Sequence, residues 1–466
     1  MFSFLASLGY QGSRVLRGEF MNKINISQLQ YKWIEKEKIK IESDKKRRYL
    51  HFDSRITTIS QNLLNEIFDP DYVTRRFFYL FIHDIQITRK YKKKDNLKYI
   101  DKKERPLCYA SHKDAFIFSW YAYVLDHLYE RKIKELIISK NVIAYRSLGC
   151  KTIDFAKEVF DFIKKKNNCV TICFDIKGFF DNLNHKQLKK VWRTLLLTGD
   201  MLDNKNLPND HYAIYKAITN YSYISKNNLF DLFGINEKNK KQFSKICSLS
   251  EYKKIRKKAN LIKHNIDKGI PQGIAMSSVL SNAYMMEFDV NVVKFVNKLN
   301  GFYRRYCDDI IIVCGADEYE NVIEYIKSEI NSAKLEIQEA KTEIRFFNIN
   351  DKGMFSCTNK AGENRSLQYL GIKTDGNKEW LREKTVAKNY RKITRAVKKE
   401  YHRLKKTENN FAKRKLYKKF VYSNRRSFLS YAKSAVKILN SKTLKKQIEP
   451  NGLVKLIRRK IKKYKK

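Results

Sequence analysis

Three aspartates are the residues of this chain best placed to do chemistry. Asp175 closes the run Cys169-Val-Thr-Ile-Cys-Phe-Asp175, and Asp308-Asp309 opens onto Ile310-Ile-Ile-Val313. Carboxylates bordering core strands cost free energy unless a cation or a hydrogen-bond partner compensates them. Turns favour Asp for conformational reasons alone, so the Asp-Asp pair says little until it is joined by a carboxylate from another strand. Magnesium takes hard oxygen ligands, usually one or two carboxylates together with substrate phosphates. Three carboxylates converging from two adjacent strands can hold two ions ~4 Å apart, the arrangement used for in-line phosphoryl displacement.

The elements that must position these groups are legible as patterns. Val170 to Ile176 alternates as a strand, with Val170, Ile172, Phe174 and Ile176 on one face and Thr171, Cys173 and Asp175 on the other. Gly301 to Cys314 reads as two short strands around a turn at Cys307-Asp308-Asp309. Ser277 to Val296 has helical spacing, and Ala115 to Tyr129 is an apolar-aromatic helix with Asp114 as its expected cap. Strands mixed with helices, without regular βαβ alternation, predict an α+β domain.

Charge indicates the partner. The chain of 466 residues carries 97 Lys plus Arg against 49 Asp plus Glu, a formal net charge of +48, while 43% of it is hydrophobic. A folded chain so charged calls for a polyanion, and nucleic acid is the expected one. From Leu381 to Lys466 there are 31 Lys plus Arg and 4 Asp plus Glu, so this end holds more than half of the +48. Apolar residues recur there at helical spacing, as in Ala396, Tyr401 and Leu404, or Leu416, Phe420 and Val421, which predicts packed basic helices, with Arg458 to Lys466 as a candidate free tail. The longest mainly apolar run, Ala115 to Leu125, is far short of the ~20 residues of a spanning helix. Met1 to Tyr10 lacks the basic start and cleavage site of a signal peptide, so no membrane partner and a cytoplasmic location are expected. The 8 Cys form no CxxC pair and read as ordinary thiols rather than zinc ligands or disulfides.

Several segments resemble the motifs of reverse transcriptases, in that family's order. Arg105-Pro106-Leu107 and Ala144-Tyr145-Arg146 are similar to its fingers motifs, and Phe174-Asp-Ile-Lys-Gly-Phe-Phe-Asp-Asn-Leu-Asn-His185 to motif A. Gly269-Ile-Pro-Gln-Gly273, followed by Ser277, Ser278, Leu280, Ser281 and Asn282, resembles motif B, and Tyr306-Cys-Asp-Asp309 motif C. Ala340-Lys341-Thr342 and Leu367-Gln-Tyr-Leu-Gly371 resemble motifs D and E, so the likeness runs from about residue 96 to about residue 376.

The resemblance implies an RNA-directed DNA polymerase with a right-hand fold of fingers, a palm with an antiparallel sheet, and a helical thumb. It implies that Asp175 and Asp308 carry two Mg2+ ions (Mn2+ being the alternative), with Asp309 completing the cluster and the Ile176 carbonyl as a backbone ligand. Phe180 falls at the steric gate, where an aromatic ring excludes a 2′-hydroxyl. Gln272 and Gly273 would contact the incoming deoxynucleoside triphosphate, and Arg105, with Lys98, Lys102 or Lys103, would grip its phosphates. Arg146 would join the nucleotide site unless it merely pairs with an acidic neighbour, and Lys341 would serve as general acid near the pyrophosphate. Asp181 and His185 are expected to cap and pack the following helix.

The expected domains are an N-terminal extension over 1–95, fingers over 96–165, a palm over 166–376 with an insertion at about 190–265, and a basic thumb over 377–466. With no RNase H, endonuclease or integrase segment after the thumb, and no retron-type Asn-Ala-x-x-His or Val-Thr-Gly element, the chain looks most like the stand-alone bacterial defence-associated reverse transcriptases. Those imply a structured noncoding RNA template, a DNA product and anti-phage action, with a homo-oligomer left open. A group II intron- or retron-like enzyme, an RNA-dependent RNA polymerase and a non-catalytic maturase-like RNA-binding protein are the rival readings; Phe180 argues against the second and the intact aspartates against the third.

Overall fold

The computed structural model describes residues 24–43, 49–94, 97–202, 206–404, 413–422 and 427–465. The strands are β1 Phe81–Lys94, β2 Leu97–Tyr109, β3 Cys169–Asp175, β4 Ser222–Ser225, β5 Ile262–His264, β6 Phe302–Tyr306, β7 Asp309–Cys314, β8 Glu343–Ile349, β9 Phe355–Thr358, β10 Leu367–Tyr369, β11 Ile372–Thr374 and β12 Glu379–Leu381. The chain divides into two compact units, one within Met1–Glu135 and Leu183–Tyr284, the other within Leu136–Asn182 and Met285–Lys466.

In the second unit, strands order as β6-β7-β3-β8-β9, every neighbour antiparallel. The run Ile310 to Val313 is buried throughout, as a continuous apolar strand demands. Because Ile172 pairs with Ile312 and Phe174 with Ile310, the register leaves Asp175 opposite Asp309 where the apolar pattern ends. A smaller sheet, β10-β11-β12, follows, its first hairpin turning at Leu370 (φ 43°) and Gly371 (φ 92°). The helices Glu383–Leu404, Lys413–Phe420 and Pro450–Lys465 then enclose a core of Ile393, Val397, Leu416, Leu453, Ile457 and Ile461. The expected tail Arg458 to Lys466 is therefore helical as far as Lys465. Ile457 and Ile461, one turn apart on its apolar stripe, are what anchor it.

The first unit holds the sheet β2-β1-β4-β5. Its long β1–β2 hairpin straddles residue 95, so the expected boundary between an extension and fingers falls inside one ladder. The segment 190–265, expected as an insertion, supplies two strands to this sheet: β4 pairs parallel to β1, and β5 pairs with β4. Strands of four and three residues are too short for period-two alternation to reveal them. The aromatic helix runs over His112–Glu135 and packs on helices His185–Thr198 and Ala275–Tyr284. Asp114 does not cap it but lies in its first turn, bound to Arg76 Nε at 2.7 Å. The N-cap is Ser111, whose Oγ accepts the Asp114 N–H at 3.2 Å, and Asp53 adds to it, its carboxylate accepting the His112 and Lys113 backbone N–H groups at 2.8 and 2.9 Å. The helical pattern Ser277 to Val296 is two helices, Ala275–Tyr284 and Met286–Lys298.

Candidate active site

The site in the second unit is built around a two-residue turn. Tyr306 pairs with Asp309, so Cys307 and Asp308 alone reverse the chain between β6 and β7. Cys307 adopts φ 60°, a left-handed conformation that hairpin turns usually assign to glycine and that costs roughly 1–3 kcal/mol for other residues. Its neighbours hold it there. Arg305 Nη1 donates to the Cys307 carbonyl at 3.1 Å, Tyr145 Oη donates to Cys307 Sγ at 3.4 Å, and the Ile176 N–H donates to the Asp308 carbonyl at 3.2 Å. Burial, helped by the Asp308 charge, pushes the Cys307 thiol up to about 12, so it stays a neutral thiol near pH 7.

Arg305 is itself locked. Its side chain and that of Asp289 are fully buried and pair bidentately, Nε to Oδ1 at 2.7 Å and Nη2 to Oδ2 at 2.6 Å. Tyr303 Oη donates to Asp289 Oδ1 at 2.6 Å, and burial, then the Asp289 charge, holds that hydroxyl protonated far above its ordinary range. Backbone bonds from Arg305 to Asn141 and from Ile143 to Arg305 fasten the 141–143 segment alongside β6. These supports lie outside the residues singled out from sequence. Their trace was nonetheless present: in Phe302-Tyr-Arg-Arg-Tyr306, Arg305 shares the inward face with Tyr303, and Asp289 sits among Phe288, Val292 and Val293 on a helix. Charges at core positions imply partners.

Lys341 and Asp175 are brought together directly, Nζ to Oδ1 at 2.5 Å. The segment before Lys341 runs along the end of β3, with Gln338 N–H on the Asp175 carbonyl at 2.8 Å and Lys177 N–H on the Glu336 carbonyl at 2.9 Å. Asp175 is half-buried, Asp308 half-buried and Asp309 exposed. Among the described residues, no three His, Cys, Asp or Glu side chains are gathered into a formed metal centre. The donor chemistry nonetheless suits a hard cation: Asp175 and Asp309 are register partners, and an ammonium already sits on Asp175.

After β3 the chain turns through Gly178 (φ 53°), where a Cβ would meet Asn182 Nδ2 at 2.8 Å. That amide donates to the Lys177 and Gly178 carbonyls at 2.9 and 3.1 Å, shaping the turn that carries half-buried Phe180 beside buried Phe179. Arg146 is turned onto backbone: its Nη1 donates to the Ser139 and Val142 carbonyls at 2.5 and 2.6 Å.

The remaining candidates lie in the first unit. The Gln272 carbonyl accepts the Cys108 N–H at 2.7 Å, and a Cβ on Gly273 (φ 110°) would meet the Cys108 carbonyl at 3.0 Å. Glycine thus permits the close approach of this loop to the end of β2, the strand that carries exposed Arg105, Lys102 and Lys103. Lys98 lies on the same strand. His185 opens the helix His185–Thr198, whose cap is Asn184 rather than Asp181, and its Nε2 lies 2.8 Å from the Gly269 carbonyl.

Residues 117–374 match the family described as reverse transcriptase (RNA-dependent DNA polymerase). No curated protein sequence matches the chain. Among solved structures, apo telomerase from Candida tropicalis, truncated of its C-terminal domain, is similar at 14% identity and a TM-score of 0.40 over 64% of this chain and 54% of its own. Telomerase from Candida albicans in complex with a TWJ fragment of telomeric RNA is similar at 12% identity and a TM-score of 0.38, over 80% and 56%. The corresponding Candida tropicalis complex is similar at 12% identity and a TM-score of 0.39, over 84% and 62%. The chain thus spans a little over half the length of these telomerase chains, and likenesses so distant carry no residue roles across.

Proposed function

Since the chain belongs to the reverse transcriptase family and its mixed helical and antiparallel structure is that of a right-hand polymerase, we propose that it copies RNA into DNA from deoxynucleoside triphosphates. The observation that carries the reading is the pairing of Asp175 with Asp309 beside the braced Cys307-Asp308 turn. Asp175, Asp308 and Asp309, with the Ile176 carbonyl, are the groups that would hold two divalent ions, Mg2+ or Mn2+, which when bound lower the pKa of the attacking hydroxyl and neutralise the developing phosphoryl charge. Lys341, paired with Asp175, would hold a proton for the departing pyrophosphate. Phe180 is the gate residue, Gln272 and Gly273 shape the nucleotide side, and Arg105 with its neighbouring lysines takes the phosphates. Arg146 donates to two carbonyls of the 139–146 loop and would support that loop.

Primer extension on an RNA template with Mg2+ tests this reading, with Asp308→Ala/Asp309→Ala as the control. Extension by the wild type that persists in that variant would reject the site; extension by neither would favour a maturase-like RNA-binding protein.

The finer reading is a ribonucleoprotein enzyme of bacterial anti-phage defence, acting in the cytoplasm and templated by a structured noncoding RNA. It rests on the motif resemblance and on the charge of +48. Among the described residues, no helix is long and apolar enough to cross a membrane. Sequencing the nucleic acid that copurifies with the chain, with phage plaquing on expressing cells, separates this role from a retron or intron role. The basic helices from Glu383 onward are the proposed grip. Replacing Lys413, Lys415, Lys418 and Lys419 with Gln should flatten the salt dependence of RNA binding by roughly 0.7–0.9 per lost phosphate contact; an unchanged slope would put the contacts elsewhere.

A further inference from the structure

A recess in the first unit is lined by residues that belong to none of the motifs discussed above. Helix Pro70–Arg75 and the residues after it face helix Leu249–Arg256 across a recess of about 600 Å³. Such a volume falls in the ~300–1,000 Å³ range of small-ligand sites. Its walls alternate rings and cations: Tyr72, Phe77, Tyr79 and Tyr252 with Arg75, Arg76, Lys253 and Arg256.

The rings and cations are not equivalent. Arg76 is consumed by architecture, since its Nε holds Asp114 at 2.7 Å and its Nη1 holds Tyr72 Oη at 2.9 Å. Tyr252 is likewise committed, its hydroxyl accepting the Leu80 N–H at 3.1 Å. Phe77 is left 59% exposed, an unusual state for a Phe, with the Arg256 guanidinium 4.1 Å from its ring centroid. Arg75, Lys253 and Arg256 are exposed, and among the described residues none of the three meets a carboxylate. Arg75 spends only Nε, on the Asp71 carbonyl at 3.2 Å.

An exposed ring ringed by uncompensated cations suits a ligand with a flat face and a negative charge within a few ångströms of it. A cationic or purely apolar ligand would leave three positive charges unbalanced. Nucleotides supply both features: bases stack on aromatic and guanidinium planes, and phosphates pair with Arg and Lys. We propose that this recess binds a nucleotide unit, a base against Phe77 and its phosphate on Arg75, Lys253 and Arg256, as a sequence-tolerant holding point for single-stranded RNA. Helix Leu249–Arg256 comes from the segment between motifs A and B, and none of the residues lining the recess belongs to those motifs. The proposal takes from the polymerase reading only the identity of the strand.

The test uses the full chain and fluorescence anisotropy with two probes, a labelled single-stranded oligouridine and labelled ATP. Phe77→Ala should weaken oligouridine binding roughly 5- to 150-fold, since a stacked base contributes about 1–3 kcal/mol, with Phe77→Trp restoring it. Lys253→Gln/Arg256→Gln should reduce the log–log salt slope by roughly 0.7 per lost contact. Thermal melting checks that each variant folds. Competition by ATP at the same variants would assign the recess to free nucleotides as well; its absence would assign it to strands alone, and either supports nucleotide chemistry. Unchanged affinity and slope in both variants overturn the proposal. Primer extension by the wild type is read in a separate assay, so failure of the polymerase reading and failure of this one are seen separately.

Discussion

Two ion pairs stand at either side of the same hairpin, and water treats them differently. Arg305 and Asp289 meet at 2.6 Å with neither side chain exposed, while Lys341 and Asp175 meet at 2.5 Å with 53% and 20% of their side chains exposed. The sealed pair has a third partner in Tyr303 and reaches the Cys307 carbonyl, so its charges are spent on holding backbone. Among the described residues, the two side chains of the open pair form no hydrogen bond or ion pair except with each other. Desolvated charges cannot separate cheaply, whereas solvated ones exchange partners at little cost. A rigid pair therefore suits the frame of a site, and a loose one suits a group that must meet a cation or pass a proton.

The largest expected effect tests whether the turn these pairs flank is the chemical centre. Asp308→Ala/Asp309→Ala should bring nucleotide incorporation below detection in primer extension while the melting temperature holds. Normal rates would detach the comparison from catalysis. Next comes the sealed pair. Arg305→Met leaves Asp289 buried without its cation and should destabilise the fold by about 3–5 kcal/mol in denaturant unfolding. Arg305→Lys should recover little, because an ammonium cannot reproduce the fork. A loss under ~1 kcal/mol would show that the pair is not structural.

For the open pair the balance should reverse. Lys341→Met should change stability by no more than ~1 kcal/mol but lower the single-turnover rate by roughly 10²-fold or more. Equal effects of the Arg305 and Lys341 variants on stability would erase the distinction. A subtler change is expected from Phe180→Val, which should cut discrimination against ribonucleotides by roughly 10- to 100-fold in paired extension assays. An active enzyme with unaltered preference would remove Phe180 from the gate. The smallest effect concerns thiols. Cys307, raised to about 12 by burial, should resist iodoacetamide at pH 8 in the native chain, while exposed Cys150 reacts; mass spectrometry of the two peptides decides.

Much of the site was legible because it lies at the ends of strongly patterned strands. The alternation of Val170 to Ile176 and the apolar run after Asp309 specify β3 and β7, and apolar residues that must be buried leave the aspartates at the rim. The basic helices at the far end were legible for the same reason, since a 3.6-residue stripe survives a high density of lysine. The Asp114 cap was misplaced because a lone Asp before an apolar run looks alike whether it caps the helix or pairs with Arg76 from another element.

What composition and pattern determined by themselves was the concentration of positive charge and the strands that carry the carboxylates, while the class of chemistry was implied by the resemblance of the motifs to those of reverse transcriptases. What only the tertiary structure decided was support and company. A distant Asp53 reinforces the Ser111 cap of the aromatic helix, β4 and β5 complete the first unit's sheet, and Lys341 is laid on Asp175 across the end of β3. A buried Arg305 holds Cys307 in a conformation its own type disfavours. Local sequence reports periodicity and propensity, which act over a few residues. Pairing, capping and charge compensation join residues far apart in the chain, and their free energies exist only once the fold has brought them within hydrogen-bonding distance.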